Sequence, residues 1–253
     1  MPEPGKAIYA RILRTLPDIA RWVKTRSILL SGHCEVLGLE EDGEELSFVV
    51  RDTAAGEIYV SVVSRPAAGV IVEAVSQGQN EGEVLAVPEN RSHVAAALGD
   101  WRIVDTVLHT LGDTARMLEV PEGSVCLLPS LDGVDLESLP PDLRSELEDA
   151  VETSPVCAAY ADGHPVAFCY VGSRTESLWD VSIDTLEEHR RQGHAARCVA
   201  FMVEHMQREG RRPIWNAVKS NAASLALAAR LGFVPVDEIV VFLPPVNWSG
   251  GLR

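Results

Sequence analysis

Aromatic residues make up only 6% of this 253-residue chain, and no run of about 18 apolar residues occurs in it, so no membrane-spanning helix is expected. Positive charge is scarce. Lys and Arg total 22 against 37 Asp and Glu, a net charge of −15, and a nucleic-acid binder needs clustered cations to neutralise phosphates. The five cysteines (Cys34, Cys126, Cys157, Cys169 and Cys198) are odd in number, scattered and free of any C-x-x-C pair. A disulfide framework and a structural zinc site are therefore not expected, no metal is anticipated, and each thiol reads as a small buried hydrophobe. The start, MPEPGKAIYARILR, lacks the basic residues and apolar stretch of a secretory signal, which points to the cytoplasm. No G-x-S-x-G, Walker loop or H-E-x-x-H occurs, so hydrolase, nucleotidase and zinc-protease chemistry has no support.

What is present is an ordinary globular composition, 46% apolar and 23% charged. At roughly 100 to 200 residues per domain, the length suggests two halves. Charge separates them. Residues 1–153 hold 12 basic and 27 acidic side chains, whereas 154–253 hold ten of each. A proline- and acid-rich passage from Leu131 to Asp142 reads as the connection, giving an N-terminal α/β unit over 1–140 and a second unit over 141–253.

In the first unit, Ile8, Ile12, Leu16, Ile19 and Val23 recur at helical spacing, predicting a helix over 6–25 interrupted near Pro17. Strands are predicted at 46–51, 58–63, 70–75, 83–87 and 101–111, with a helix from Pro88 to Leu98 stopped by Gly99. Pro141 then starts a helix with Leu143, Leu147 and Val151 on one face. In the second unit, Asp162-Gly163 between apolar runs predicts a β-hairpin over 155–171. A strand at 178–186, a helix carrying Ala196, Val199, Ala200, Val203 and Met206, a strand at 213–218, a helix at 221–231 and a strand at 236–243 complete a mixed sheet of order β-β-β-α-β-α-β.

One passage carries chemistry. A strand running directly into Arg190-Arg191-Gln192-Gly193-His194-Ala195 and then a helix leaves unpaired N–H groups at the positive end of a helix dipole, an arrangement that binds phosphate. Gly193 and Ala195 are small enough to let a pyrophosphate approach, and Arg190 and Arg191 add cations at the rim.

This R-x-x-G-x-A pattern, followed by helix, strand and the run NAASLALAARLGF from Asn221 to Phe233, resembles the GNAT superfamily of acetyl-CoA-dependent N-acyltransferases. The resemblance covers 154–243 and does not extend to the first half, which reads as a degenerate copy of the same fold, without the loop and without a cofactor. It implies that Arg190 to Ala196, His194 included, hold the coenzyme A pyrophosphate. It implies also that the strand at Ile183 and Thr185 pairs with pantetheine and that Asn221 and Ser224 flank the thioester. Asn221 equally reads as a helix N-cap, and Ser224 as an ordinary exposed helix serine.

The reaction implied is attack of a neutral amine of a small molecule or peptide on the acetyl thioester, which needs a base. Asp180, Asp184 and Glu188 are the candidates. Asp180 and Asp184 share a strand face by period two, unless a bulge of the kind common in the family intervenes. Trp179, Trp215 and Trp248 read as core rather than as an acceptor pocket. Where many relatives carry a tyrosine that protonates the leaving thiolate, this chain has Ala228. The rival reading is a catalytically silent acyl-CoA-binding module. Neither a nucleic acid nor a membrane is expected as partner, and a homo-oligomer stays open.

Overall fold

The computed structural model describes residues 4–43, 45–54, 59–76, 82–113 and 115–245. Trp248 lies outside them. By contacts the chain forms two compact units. One holds the described residues up to Leu108, Ala217–Asn221 and those from Val236 on; the other holds His109–Asn216 and Ala222–Pro235. These units do not divide at the proline-rich passage near 140, because strands late in the chain take part in the first unit.

The first helix, α1 (Pro4–Thr15), buries Ile12. Pro17, which lacks an N–H, separates it from a 3-10 turn at Ala20–Trp22 and from α2 (Val23–Ser31), which runs past the expected end at 25. The break is held from inside. Arg26, 5% exposed, donates to the carbonyls of Leu13 (2.8 Å) and Leu16, acceptors that the end of α1 leaves unpaired.

Next come β1 (Cys34–Asp42), β2 (Glu45–Asp52) and β3 (Tyr59–Val63), paired antiparallel in that order. The strand expected at 70–75 is instead part of a helix, α3 (Ala68–Ser76). The reason is topological. β4 (Glu83–Ala86) lies parallel to β3, and parallel neighbours need a crossover rather than a hairpin. Tertiary packing then overrides the β-branched composition of Val70-Ile71-Val72: Ile71 and Ala74, one helical turn apart, are fully buried against Val60, Val62, Val84 and Phe242, while Val72 points outward at 46% exposure. After a 3-10 turn at Pro88–Asn90, α4 (Arg91–Leu98) ends at Gly99 and leads to β5 (Arg102–Leu111), as expected.

The rest of the chain contains β6 (Val125–Leu128), α5 (Pro141–Thr153), β7 (Val156–Ala161), β8 (His164–Arg174), β9 (Leu178–Thr185), α6 (His194–Arg208), β10 (Arg212–Val218), α7 (Ala222–Arg230) and β11 (Phe233–Leu243). Asp162 and Gly163 both have positive φ (52° and 82°), the type I′ geometry that joins β7 to β8. The fold class is thus mixed α/β. Three strands, helix, strand, helix, strand occurs twice, once from β1 to β5 and again from β7 to β11, so the N-terminal half is a copy of the C-terminal half in element order.

The two copies trade their last strands. β11 pairs antiparallel with β4, and Thr106 on β5 donates to the Ile239 carbonyl on β11 (3.2 Å). In return, the Lys219 N–H just after β10 bonds the Asp105 carbonyl on β5 (2.9 Å). Of the cysteines, Cys34, Cys157, Cys169 and Cys198 are buried as expected, but Cys126, on the short edge strand β6, is exposed. Trp179 and Trp215 are core residues.

Candidate functional site

The site starts where β9 loses a neighbour. β9 and β10 pair in parallel only through Leu178, Trp179 and Asp180, opposite Arg212, Pro213 and Ile214. Beyond Asp180, β9 keeps β8 on one side and pairs with no strand on the other among the described residues. The equivalent pair in the first copy, β3 with β4, stays paired from Tyr59 to Val62 and to the end of β4. Among the described residues, a parallel pair that parts inside the sheet, leaving a strand edge that can accept an extended ligand, is thus found in the second copy and not at β3 and β4.

Strand parity in β9 is regular. The register shift of this hairpin falls on β8, where Gly172 is the extra residue between the Val171–Val181 and Ser173–Asp180 pairs. A Cβ there would stand 2.8 Å from Ser182 Oγ, so a side chain at this position would have to displace the Ser182 hydroxyl. Asp180, Ser182 and Asp184 hence share one face, the face that carries Phe168 and Tyr170 and packs against α5. Ile183, opposite Cys169, and Thr185, opposite Ala167, face the other way, towards α6.

On the α5 side a polar cluster forms that the sequence did not announce. The Tyr170 hydroxyl lies 3.1 Å from Asp184 Oδ2 and within hydrogen-bond distance of Glu146 on α5. Burial first, then the two carboxylates, pushes the Tyr170 phenol far up, so it stays protonated and acts as a donor. Asp180 sits at the point where β9 and β10 part. Glu188 is exposed in a 3-10 turn, and its carbonyl accepts the Gln192 side-chain amide (3.1 Å).

The loop ahead of α6 is shaped by two left-handed residues. Arg191 has φ 62°, an uncommon conformation for a side chain of this kind, and Gly193 has φ 84° at the helix N-cap. Arg190 and Arg191 are exposed, and Arg190 Nε donates to the Thr185 carbonyl (3.3 Å). The first intrahelical bond is Arg197 N–H to the Gly193 carbonyl (3.2 Å), which leaves the N–H groups of His194, Ala195 and Ala196 without an intrahelical acceptor. His194 is buried, with Nδ1 2.8 Å from an Arg197 guanidinium nitrogen. Burial, together with Arg197 and His189, lowers its imidazole below the usual 6.5.

A pocket of about 450 Å³ opens at this helix start, lined by Arg116, Leu118, Gly193, Ala196, Arg197 and Arg230 among others. The sequence alone does not single out Arg116, which belongs to no motif, or Arg230, which lies within the run from Asn221 to Phe233 but away from the residues assigned to the site. Ser224 is tied down as an acceptor for Trp215 Nε1 (2.9 Å), and Asn221 directly precedes α7, its N–H bonded to the Val218 carbonyl (2.8 Å). Ala228 is fully buried. No cluster of three metal-ligating side chains occurs among the described residues, and no described helix is long and apolar enough to cross a membrane.

A comparison with curated proteins finds no match. Solved structures do resemble the chain. A GCN5-related N-acetyltransferase-like protein from Streptococcus suis 89/1591 is 15% identical with a TM-score of 0.63, over 95% of this chain and 98% of that one. A GNAT-family acetyltransferase from Colwellia psychrerythraea is 14% identical with a TM-score of 0.58, over 94% and 93%. A tandem GNAT protein from the clavulanic acid biosynthesis pathway is 15% identical with a TM-score of 0.56, over 96% and 94%. These likenesses establish a shared fold, and the last accords with the repeated element order described above. Residues 152–242, the stretch in which β9 and β10 part, match the model of the GNAT acetyltransferase family.

Proposed function

We propose that the protein is an N-acetyltransferase that moves an acetyl group from acetyl-CoA to a primary amine of a small molecule or peptide by direct attack. The observation that carries this reading is the course of β9. Beyond the parting at Asp180 its edge pairs with no strand, ends at the Thr185 carbonyl held by Arg190, and leads to the N–H groups at the start of α6 that lack an intrahelical acceptor. That is the layout for a ligand with two amides in an extended arm and a pyrophosphate at one end. The phosphates take the positive end of α6, and the arm adds to β9 as a strand would.

In this arrangement the thioester comes to the far end of the arm, beside Asp180. An amine nitrogen there bonds to the acetyl carbon, the C–S bond breaks, and the coenzyme leaves as a thiolate. The amine must shed a proton, and Asp180 is placed to take it, directly or through water. Asp184 lies four residues along the same face, roughly 13 Å further from the parting at about 3.3 Å per residue, and is engaged by Tyr170. Asp180 is therefore the preferred base, ahead of Asp184 and the exposed Glu188. Tyr170, held protonated by its surroundings, orients carboxylates rather than donating to the leaving thiolate.

The test is thiol release from acetyl-CoA with a panel of primary amines, alongside a binding titration. Amine-dependent turnover is the expected result. Tight acetyl-CoA binding with no turnover on any amine would replace this reading with a silent acyl-CoA-binding module, to which the buried Ala228 would belong.

A further inference from the structure

Asparagine is disfavoured in the middle of a strand, because its short amide competes with the backbone for hydrogen bonds and packs poorly on a pleated surface. Asn216 nevertheless stands inside β10. It is half-buried, its Oδ1 is enclosed, and neither end of its amide bonds any group among the described residues. An enclosed polar atom without a partner is a standing cost to the fold, and such exceptions gather where a ligand is handled.

The place of Asn216 in the sheet supplies the ligand. Trp215 points to α7, where its Nε1 bonds Ser224, so by strand alternation Ile214 and Asn216 point to the other face. Ile214 stands opposite Asp180 in the parallel pairing, which puts Asn216 on the face of Asp180, Ser182 and Asp184. Pairing stops there. Two residues further, about 7 Å along each strand, the same register would set Asn216 against Ser182, so these are the first residues of that face that the parting separates.

The reaction read for this site fixes what an amide can do at that point. A neutral primary amine attacking an acyl carbon turns its lone pair to the carbon and its two N–H bonds away from it. Asp180, on β9, takes one of them. The other needs an acceptor on the β10 side, and an amide oxygen accepts a hydrogen bond without taking the proton, so it orients the nitrogen and does not compete with the base. Because neither end of the Asn216 amide is held, a half-turn about its last side-chain bond breaks no hydrogen bond and exchanges Oδ1 with Nδ2.

We infer that Asn216 is the second hydrogen-bond acceptor for the incoming amine, beside Asp180, and that through it the protein selects primary over secondary amines. The inference rests on the acetyltransferase reading and adds to it a source of acceptor specificity on β10. A primary amine has one N–H for each acceptor. A secondary amine has one in all, and its extra carbon stands where the second N–H is needed, which leaves the amide oxygen without a partner.

The experiment measures kcat/KM for the best primary amine of the panel and for its N-methyl derivative, on the wild type, Asn216→Leu and Asn216→Asp, with equal Tm values as the check on folding. The wild type should favour the primary amine at least about tenfold. Leucine has a similar shape and no acceptor, so Asn216→Leu should lower kcat/KM for the primary amine at least about tenfold, leave the N-methyl amine within about threefold of wild type, and thereby erase the preference. Asn216→Asp, which keeps an oxygen in place, should retain most of it. If Asn216→Leu does not fold, Asn216→Ala carries the same expectation. Equal loss on both amines in a folded variant overturns the inference, since it marks a structural role, and so does a wild type that uses both amines equally; either result leaves the acetyltransferase reading standing. No turnover on any amine removes that reading itself, and this inference with it.

Discussion

The Tyr170 hydroxyl reaches Asp184 Oδ2 at 3.1 Å across the β8–β9 pair, and it also bonds Glu146 on α5. A phenol that donates to carboxylates and is buried at 4% exposure is a poor proton source for a departing thiolate. The thiolate itself, with a thiol pKa near 8.5, leaves without much help. Tyr170→Phe and Tyr160→Phe should each lower kcat by less than about tenfold, below the loss expected for a general acid. A hundredfold fall in kcat for either, with acetyl-CoA affinity intact, would identify a relocated acid.

Removing the base should be costly. Asp180→Asn is expected to lower turnover by about 10² to 10⁴, and Asp184→Asn by much less. Steady-state rates with the best amine decide it. If both variants stay within about threefold of wild type, Glu188 becomes the next candidate or the amine arrives neutral.

Backbone approach at the loop is open to a direct check. A Cβ at Gly193 would meet nothing closer than an Arg197 nitrogen at 3.8 Å, so a substitution there harms the site through its φ of 84° and by blocking a ligand rather than by an internal clash. Gly193→Val or Gly193→Pro should weaken acetyl-CoA binding at least about tenfold, roughly 1.4 kcal/mol, in a protein that still folds. Unchanged affinity would take the loop out of coenzyme binding.

His194 predicts a stability limb in mild acid. Its folded pKa is lowered, so the unfolded chain takes up a proton that the folded chain refuses. The contribution is complete above the unfolded value of 6.5 and is lost as pH falls below it. Tm measured from about pH 7.5 to 5.5 should fall by a few degrees more for wild type than for His194→Gln. Parallel Tm curves would show that the imidazole titrates freely.

The buried face of α3 is open to a mutational check. Ile71→Ala should cost about 2 to 5 kcal/mol in denaturant unfolding, because the side chain is fully buried. Val72→Ala, at 46% exposure, should change stability by no more than about 0.5 kcal/mol. Similar costs at both positions would contradict this burial.

Much of this protein follows from local sequence, because the signals concerned act over a few residues. Asp162-Gly163 specifies the β7–β8 turn through positive φ, Pro17 ends α1 by lacking an N–H, and the small residues around Gly193 place a helix start after a strand. The loop and its GNAT resemblance are legible for the same reason. Tertiary structure decided the rest. Val70 to Val75 is a helix because β3 and β4 are parallel and must be bridged, a fact set by partners distant in the chain. The exchange of β5 and β11 between the copies, the parting of β9 from β10 beyond Asp180, the meeting of Tyr170 with Glu146 and Asp184, and the gathering of Arg116, Arg197 and Arg230 have no local signal at all. Each depends on which strand lies beside which, and that choice is made by burial and backbone pairing over the whole fold rather than by the residues that end up in contact.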